Sequence, residues 1–329
     1  MSSTSKLIVR RGHQQRAASP TVLTIGNFDG LHLGHRALLE RLTRQAQVDN
    51  LPATVLTFEP HPRAFFMPSS APPRLSTLRE KLELIADDGV QLAYVCHFNR
   101  QFAALSADEF IEKILVATLR VHHLMIGDDF RFGAQRQGDF AQLQAASKRF
   151  GFTVEAMNSV SLDGERASSS AVRAALASGR LAHAARLLGR AYSIDGRVVR
   201  GAQLGRQLGF ATANIRSKHE RMPLLGVFAV TVHGLSCGVV CGVANLGFRP
   251  SLGQHDKRPL LEVHLLDFDA DIYGAHLNVR FLHKLREEMK FPSLEALKAQ
   301  IAEDVMAAQA FFHNTSGQAM PTDSTPISL

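Results

Sequence analysis

Between Thr21 and about Met157, short β-branched or apolar runs alternate with longer amphipathic segments. That is the pattern of a parallel sheet covered by helices. The runs Val22–Ile25, Thr54–Phe58, Leu92–Cys96, Leu124–Ile126 and Phe152–Ala156 are predicted strands. Ala37–Gln47 and Ala141–Arg149 carry apolar residues at helical spacing and are predicted helices. A Rossmann-like α/β domain is expected.

After Arg190 the pattern changes. Tyr192–Val199, Val227–Val232, Gly238–Val243, Leu260–Leu266 and His276–Leu282 are strand-length runs set close together between Gly-rich turns. They predict a small antiparallel β-barrel. Ser293, just after Pro292, is a candidate N-cap for a helix reaching about Phe312, and a disordered tail is expected over 314–329. Ser168–Leu188 is helical in pattern with a break at Gly179 and separates the two regimes. The expected domains are residues 1–187 and 188–313.

Composition narrows the class without deciding it. A length of 329 residues suits two domains, and 45% hydrophobic with 20% charged residues is ordinary globular composition. The net charge of +7 allows an anionic partner, but the cations are scattered, which argues against a nucleic-acid tract. Three cysteines, Cys96, Cys237 and Cys241, cannot all pair within the chain. No apolar run follows the basic residues at the start and no apolar stretch reaches 18 residues, so a cytoplasmic protein without membrane contact is expected.

The first predicted strand runs directly into Gly26-Asn27-Phe28-Asp29-Gly30-Leu31-His32-Leu33-Gly34-His35 and then a helix. Glycines at a strand-to-helix turn let backbone approach an anion, and the helix start offers free N–H groups to phosphate. His32 and His35 can point at the same phosphate. Two surface histidines, or a metal pair, remain the alternatives, the latter lacking an intervening Glu and a third ligand. In the second domain, the glycine-spaced loop Gly201–Asn214, including Gly205, Arg206 and Gly209, ends in Thr212 and Asn214. Such a loop can cradle ATP phosphates while the two oxygens hold Mg²⁺, although a plain Gly-rich hairpin would look similar.

The string from Gly26 to His35 resembles the His-x-Gly-His signature of nucleotidylyltransferases, in particular the adenylyltransferase half of bacterial bifunctional riboflavin kinase/FAD synthetases. Thr57–Arg63, Leu105–Phe110, Gly127–Gly133 and Ser168–Arg173 match that family in order. The loop to Asn214 is similar to the riboflavin kinase loop, followed in family order by Gly242–Ser251, Leu261–Phe268 and Phe281–Phe291.

The resemblance implies a nucleotidylyltransferase domain that adenylylates FMN to FAD and a riboflavin kinase-like barrel that phosphorylates riboflavin to FMN, with ATP as co-substrate of both. By the same resemblance, Gly26, Asn27, Phe28, Asp29, Gly30, His32 and His35 bind ATP, and His32 and His35 stabilise the transition state. Arg173, with Ser169 and Ser170, holds the outer phosphates. Asp129, Phe130 and Phe132 form part of the flavin pocket, and Arg286 contacts flavin in the kinase. Gly201, Gly205, Arg206 and Gly209 bind the kinase ATP, Thr212 and Asn214 hold Mg²⁺, for which Mn²⁺ could substitute, and Glu262 is the general base.

Ser170 stands where the family usually has Thr, and Gln207 and Ala211 where it has Thr and Pro. Loss of Pro loosens the backbone before the metal ligands, so a weaker kinase is compatible with the resemblance. A chain with adenylyltransferase activity alone, or a non-catalytic flavin- or nucleotide-binding regulator, would share the fold. Transient homo-oligomers are allowed.

Overall fold

The computed structural model describes residues 6–201, 209–248 and 259–315. They form two compact units: residues up to Pro72 with Leu78–Ser168, and Pro73–Thr77 with the chain from Ser169 onward.

In the first unit β1 (Ile8–Arg11), β2 (Thr21–Ile25), β3 (Ala53–Glu59), β4 (Leu92–His97), β5 (Val121–Gly127) and β6 (Thr153–Met157) form one sheet in the order β1-β4-β3-β2-β5-β6. Every pairing is parallel. The helices are α1 (Leu33–Asp49), α2 (Pro62–Phe66), α3 (Leu78–Asp87), α4 (Arg100–Ala103), α5 (Ala107–Glu109) and α6 (Phe140–Phe150), and Phe110–Thr118 continues α5 as a π-helix. Alternate residues feed two cores: Leu23, Ile25, Leu56 and Leu124 join one cluster, Val22, Val55 and Met125 the other. Covered on both faces, β2 is buried along its whole length, as a central parallel strand must be.

Two elements here carry no strong sequence pattern. β1 is four exposed residues along β4 at the sheet edge, and β7 (Ser161–Leu162) and β8 (Glu165–Arg166) are a two-residue ribbon. The Leu105–Phe110 string has a local explanation. Ser106 Oγ accepts from the Glu109 N–H at 3.1 Å while the Glu109 carboxylate accepts from the Ser106 N–H at 3.0 Å, a reciprocal cap that starts the helix.

The second unit begins with α7 (Ser169–Ala177) and α8 (Leu181–Leu188), separated at Gly179, whose φ of 71° suits glycine. The sequence pattern puts these helices before a boundary at Leu188; by contact they group with the barrel, α8 lying against β9 (Tyr192–Val199) and β14 (His276–Arg286). With β10 (Thr212–Arg216), β11 (Gly226–Leu235), β12 (Gly238–Gly247) and β13 (Leu260–Leu265) these close a barrel in the order β10-β13-β12-β11-β14-β9. All pairs are antiparallel.

Leu261, Val263, Val279, Phe281, Phe228, Ile194 and Tyr192 fill the barrel, where Phe228 meets Phe281 edge-on at 5.3 Å. Outside it, α9 (Leu294–Thr315) lays Ala308 and Phe312 on Val227, Ala229 and Val243, which is why β11 is buried on both faces. Ser293 Oγ caps α9 by accepting from the Ala296 N–H at 3.1 Å. Arg286 clamps the helix from β14 through two 2.8 Å bonds to the buried Asp304 carboxylate. Asn314 and Thr315, expected to begin the tail, complete α9, and residues 316–329 lie outside the described residues.

Candidate active site

In an open parallel sheet, ligands bind beyond the carboxyl ends of the strands where the strand order reverses. Here β2 leads outward to β3 and β4, while β5 leads the other way to β6, so the reversal lies between β2 and β5. The Gly26–His35 segment leaves β2 there, and Gly127–Gly133 leaves β5.

The turn after β2 is held in an unusual backbone form. Phe28 and Leu31 have φ of 48° and 44°, a region that costs a non-glycine residue of order 1 kcal/mol. Both side chains are fully buried in the core beneath α1, and that burial, about 2 kcal/mol each, offsets the strain. Phe28 also supports His35 at a ring separation of 5.0 Å, and His35 stacks on His32 at 3.8 Å with 25° between planes. Near-parallel rings direct their nitrogen lone pairs into separate parallel planes, which does not suit a shared metal ion. His32 is the N-cap of α1, with extended backbone and no side-chain cap bond, and the first turn holds no acidic residue. The positive end of a 17-residue helix therefore faces the turn with no acidic side chain in its own first turn. Gly34 leaves the rings room: a Cβ there would sit 3.2 Å from the His32 Nδ1 and Cε1 atoms, so the imidazole would have to give by a few tenths of an ångström.

Beneath this turn lies a group that sequence reasoning missed. Lys81 is wholly buried, and its Nζ donates to Thr57 Oγ1 at 3.3 Å, while that hydroxyl donates to the Asn27 carbonyl at 3.4 Å. The available signal is helical spacing, which puts Lys81 on the same face of α3 as Leu78 and Ile85.

After β5, Asp129 is exposed and pairs with Arg166 at 2.8 Å. Asp128 is held below the usual carboxylate range: partial burial opposes this, but bonds from Ser159 and the charge of Arg166 prevail. Phe130 stacks on Phe132 at 5.7 Å, and Phe132 is itself a core residue, packed on Phe110 and on Gly138, where a Cβ would overlap its ring. Phe132 thus backs Phe130 from the interior.

Ser169, Ser170 and Arg173 lie in the first turns of α7, in the second unit, where Arg173 Nε donates to the Pro73 carbonyl at 2.6 Å.

On the barrel, register aligns residues far apart in sequence. Asn214 of β10 and Asn245 of β12 both stand opposite Glu262 of the strand between them. Their neighbours Ile215, Leu261 and Leu246 point inward, so this row lies on the outer face. Asn245 was not anticipated, because nothing local reveals the pairing. Asn214 is buried with its Oδ1 making no hydrogen bond among the described residues, and Gly201 packs so tightly on that carboxamide that a Cβ would overlap it. A buried amide oxygen, with the Thr212 hydroxyl two residues away on the same face of β10, is a hard-oxygen donor set that fits Mg²⁺. Gly209 has a φ of 89°, and Gly205, Arg206 and Gln207 lie outside the described residues. Arg286 is committed to Asp304, to the Glu287 carbonyl at 3.0 Å, and to the Phe291 ring at 5.7 Å. These partners are structural.

The FAD synthetase family matches residues 14–171 and the riboflavin kinase family residues 188–312. A Haemophilus influenzae protein described as bifunctional riboflavin kinase/FMN adenylyltransferase is 50% identical over 299 residues, 91% of this chain and 96% of its own length. The chain belongs to the bifunctional riboflavin kinase/FMN adenylyltransferase family. An Escherichia coli K12 member of this family is likewise 50% identical, over 88% of this chain and 92% of its own length. A solved Streptococcus pneumoniae chain described as a macrolide-efflux protein is 27% identical, with a TM-score of 0.78 over 92% of this chain and 99% of its own. That neighbour shares the two-part architecture of the family. Among the described residues, no helix is long and apolar enough to cross a membrane.

Proposed function

We propose that the chain makes FAD from riboflavin in two ATP-dependent steps: phosphorylation to FMN by residues 188–313, and adenylylation of FMN by residues 1–187. In the first step Glu262 accepts the proton of the riboflavin 5′-hydroxyl as that oxygen attacks the γ-phosphorus of ATP and ADP departs. Thr212 and Asn214 hold Mg²⁺, which when bound neutralises phosphate charge. Gly201 and Gly209 bring backbone N–H groups to the phosphates; Gly205 and Arg206, assigned the same role by resemblance, lie outside the described residues. Arg286, which the resemblance assigns to flavin contact, is held at the end of β14 by its Asp304 pair.

In the second step the protein needs no nucleophile of its own. A phosphate oxygen of FMN attacks the α-phosphorus of ATP and pyrophosphate leaves, so positioning and charge stabilisation do the work. The backbone of Gly26–Gly30 and the start of α1 receive the phosphates, and His32 and His35 donate hydrogen bonds to the developing charge. Ser169, Ser170 and Arg173 hold the outer phosphates, and Asp129 and Phe130, backed by Phe132, receive the flavin.

The observation that carries the kinase half, where Ala211 departs from the family pattern, is the row Asn214–Glu262–Asn245 across three paired strands. The test supplies riboflavin, ATP and Mg²⁺ in one tube and FMN, ATP and Mg²⁺ in another, and resolves the flavins by chromatography. FMN followed by FAD is expected in the first and FAD in the second. Glu262→Ala should abolish FMN formation and spare FAD formation from supplied FMN; His32→Ala should stop the sequence at FMN. A folded Glu262→Ala protein that still phosphorylates riboflavin at the wild-type rate would refute the assignment of the base.

A further inference from the structure

His264 lies two residues beyond Glu262 on β13 and shares its outward face. Its backbone is fixed on both sides, opposite Thr212 of β10 and opposite Val243 of β12. From this central strand its Nδ1 reaches the carbonyl oxygen of Ala211 at 2.8 Å. A carbonyl can only accept, so Nδ1 carries the proton and donates. The Phe210 ring meets the imidazole edge-on at 5.5 Å and 85°, which limits rotation of the ring. The contact falls where the glycine-spaced loop becomes β10, one residue before Thr212 and three before Asn214.

We propose that His264 is a positioning residue for the kinase nucleotide site, clamping the Ala211 carbonyl so that Thr212 and Asn214 present their oxygens in fixed register beside Glu262. The inference rests on the reading of Thr212 and Asn214 given above. Since β13 carries both Glu262 and His264, one strand sets the base and, through the imidazole, the chain segment that faces it. Losing the clamp lets that segment sample other backbone positions without disturbing the barrel, whose interior side chains His264 does not join.

The test compares the full-length protein with His264→Ala and His264→Asn, the latter keeping a donor nitrogen at the Nδ1 position. Hydrogen exchange followed by mass spectrometry reads the 209–216 segment without nucleotide or metal. Exchange there is expected to quicken about three- to tenfold in His264→Ala, with the rest of the barrel unchanged, and to return towards wild type in His264→Asn. In the kinase reaction, KM for ATP should rise by a similar factor in His264→Ala, while KM for riboflavin and the rate of FAD formation from FMN stay put. Unchanged exchange over 209–216 in His264→Ala, or failure of His264→Asn to restore it, overturns the clamp. Full kinase activity in Thr212→Ala and Asn214→Ala proteins would instead overturn the reading of the site, whatever the exchange shows.

Discussion

Gly34→Ala should separate activity from stability with opposite signs. Gly34 is the second residue of α1, where alanine is a better helix former by about 0.5–1 kcal/mol. The added Cβ would meet the His32 Nδ1 and Cε1 atoms at 3.2 Å and the Ala167 carbonyl oxygen at 3.5 Å. Carbon contacts relax only near about 3.5–4.0 Å, so the imidazole must retreat by a few tenths of an ångström. It cannot do so alone, because the ring is stacked on His35 at 3.8 Å, and His35 leans on Phe28. The pair therefore tilts as a unit away from the helix start. A loss of about 1–2 kcal/mol of transition-state stabilisation corresponds to a fall of roughly five- to thirtyfold in FAD formation from FMN. Riboflavin phosphorylation should be unchanged, and the thermal midpoint equal or slightly higher. A Gly34→Ala enzyme that makes FAD within about twofold of the wild-type rate would refute the reading that ring position at the turn governs the reaction.

Other perturbations test the packing. Asp304→Ala leaves Arg286 without its buried partner and should cost about 3 kcal/mol, lowering the thermal midpoint of the second unit by roughly 10 °C; calorimetry decides, and a shift under about 2 °C would contradict a clamp. Gly201→Ala must displace the Asn214 carboxamide, so FMN formation should drop by more than about tenfold, read by chromatography beside an unchanged rate of FAD formation. Burial pushes the Cys96 thiol up to about 12 and also raises Cys241. Iodoacetamide at pH 8 should therefore modify exposed Cys237 first, Cys241 slowly and Cys96 only after denaturation, as peptide mass spectrometry would report.

Buried strands were legible because they are written in β-branched and apolar residues, and β2 to β6 fall where the runs predicted them. β1 was not, since Ile8-Val9-Arg10-Arg11 is exposed on every residue and gains its strand form only by pairing with β4. β10 was hidden for another reason: Thr212–Arg216 reads as the end of a loop until β9 and β13 supply partners on either side. The same limit separates the site residues. The Gly26–His35 turn is local, so its glycines and histidines can be picked out from spacing alone. Asn245, the His264–Ala211 bond and the Arg286–Asp304 pair join points far apart in the chain, and only strand register or helix docking brings them together.

The outward position of Glu262 bears on how this barrel can change over time. Along β13, residues 261, 263 and 265 hold the fold together, while 260, 262 and 264 face outward, on the side where the nucleotide is proposed to bind. Stability and chemistry therefore occupy opposite parities of a single six-residue strand. Substitutions at one parity can be selected for robustness and at the other for substrate use, with little trade between them. The shared vulnerability is an insertion or deletion of one residue, which would exchange the two sets at once.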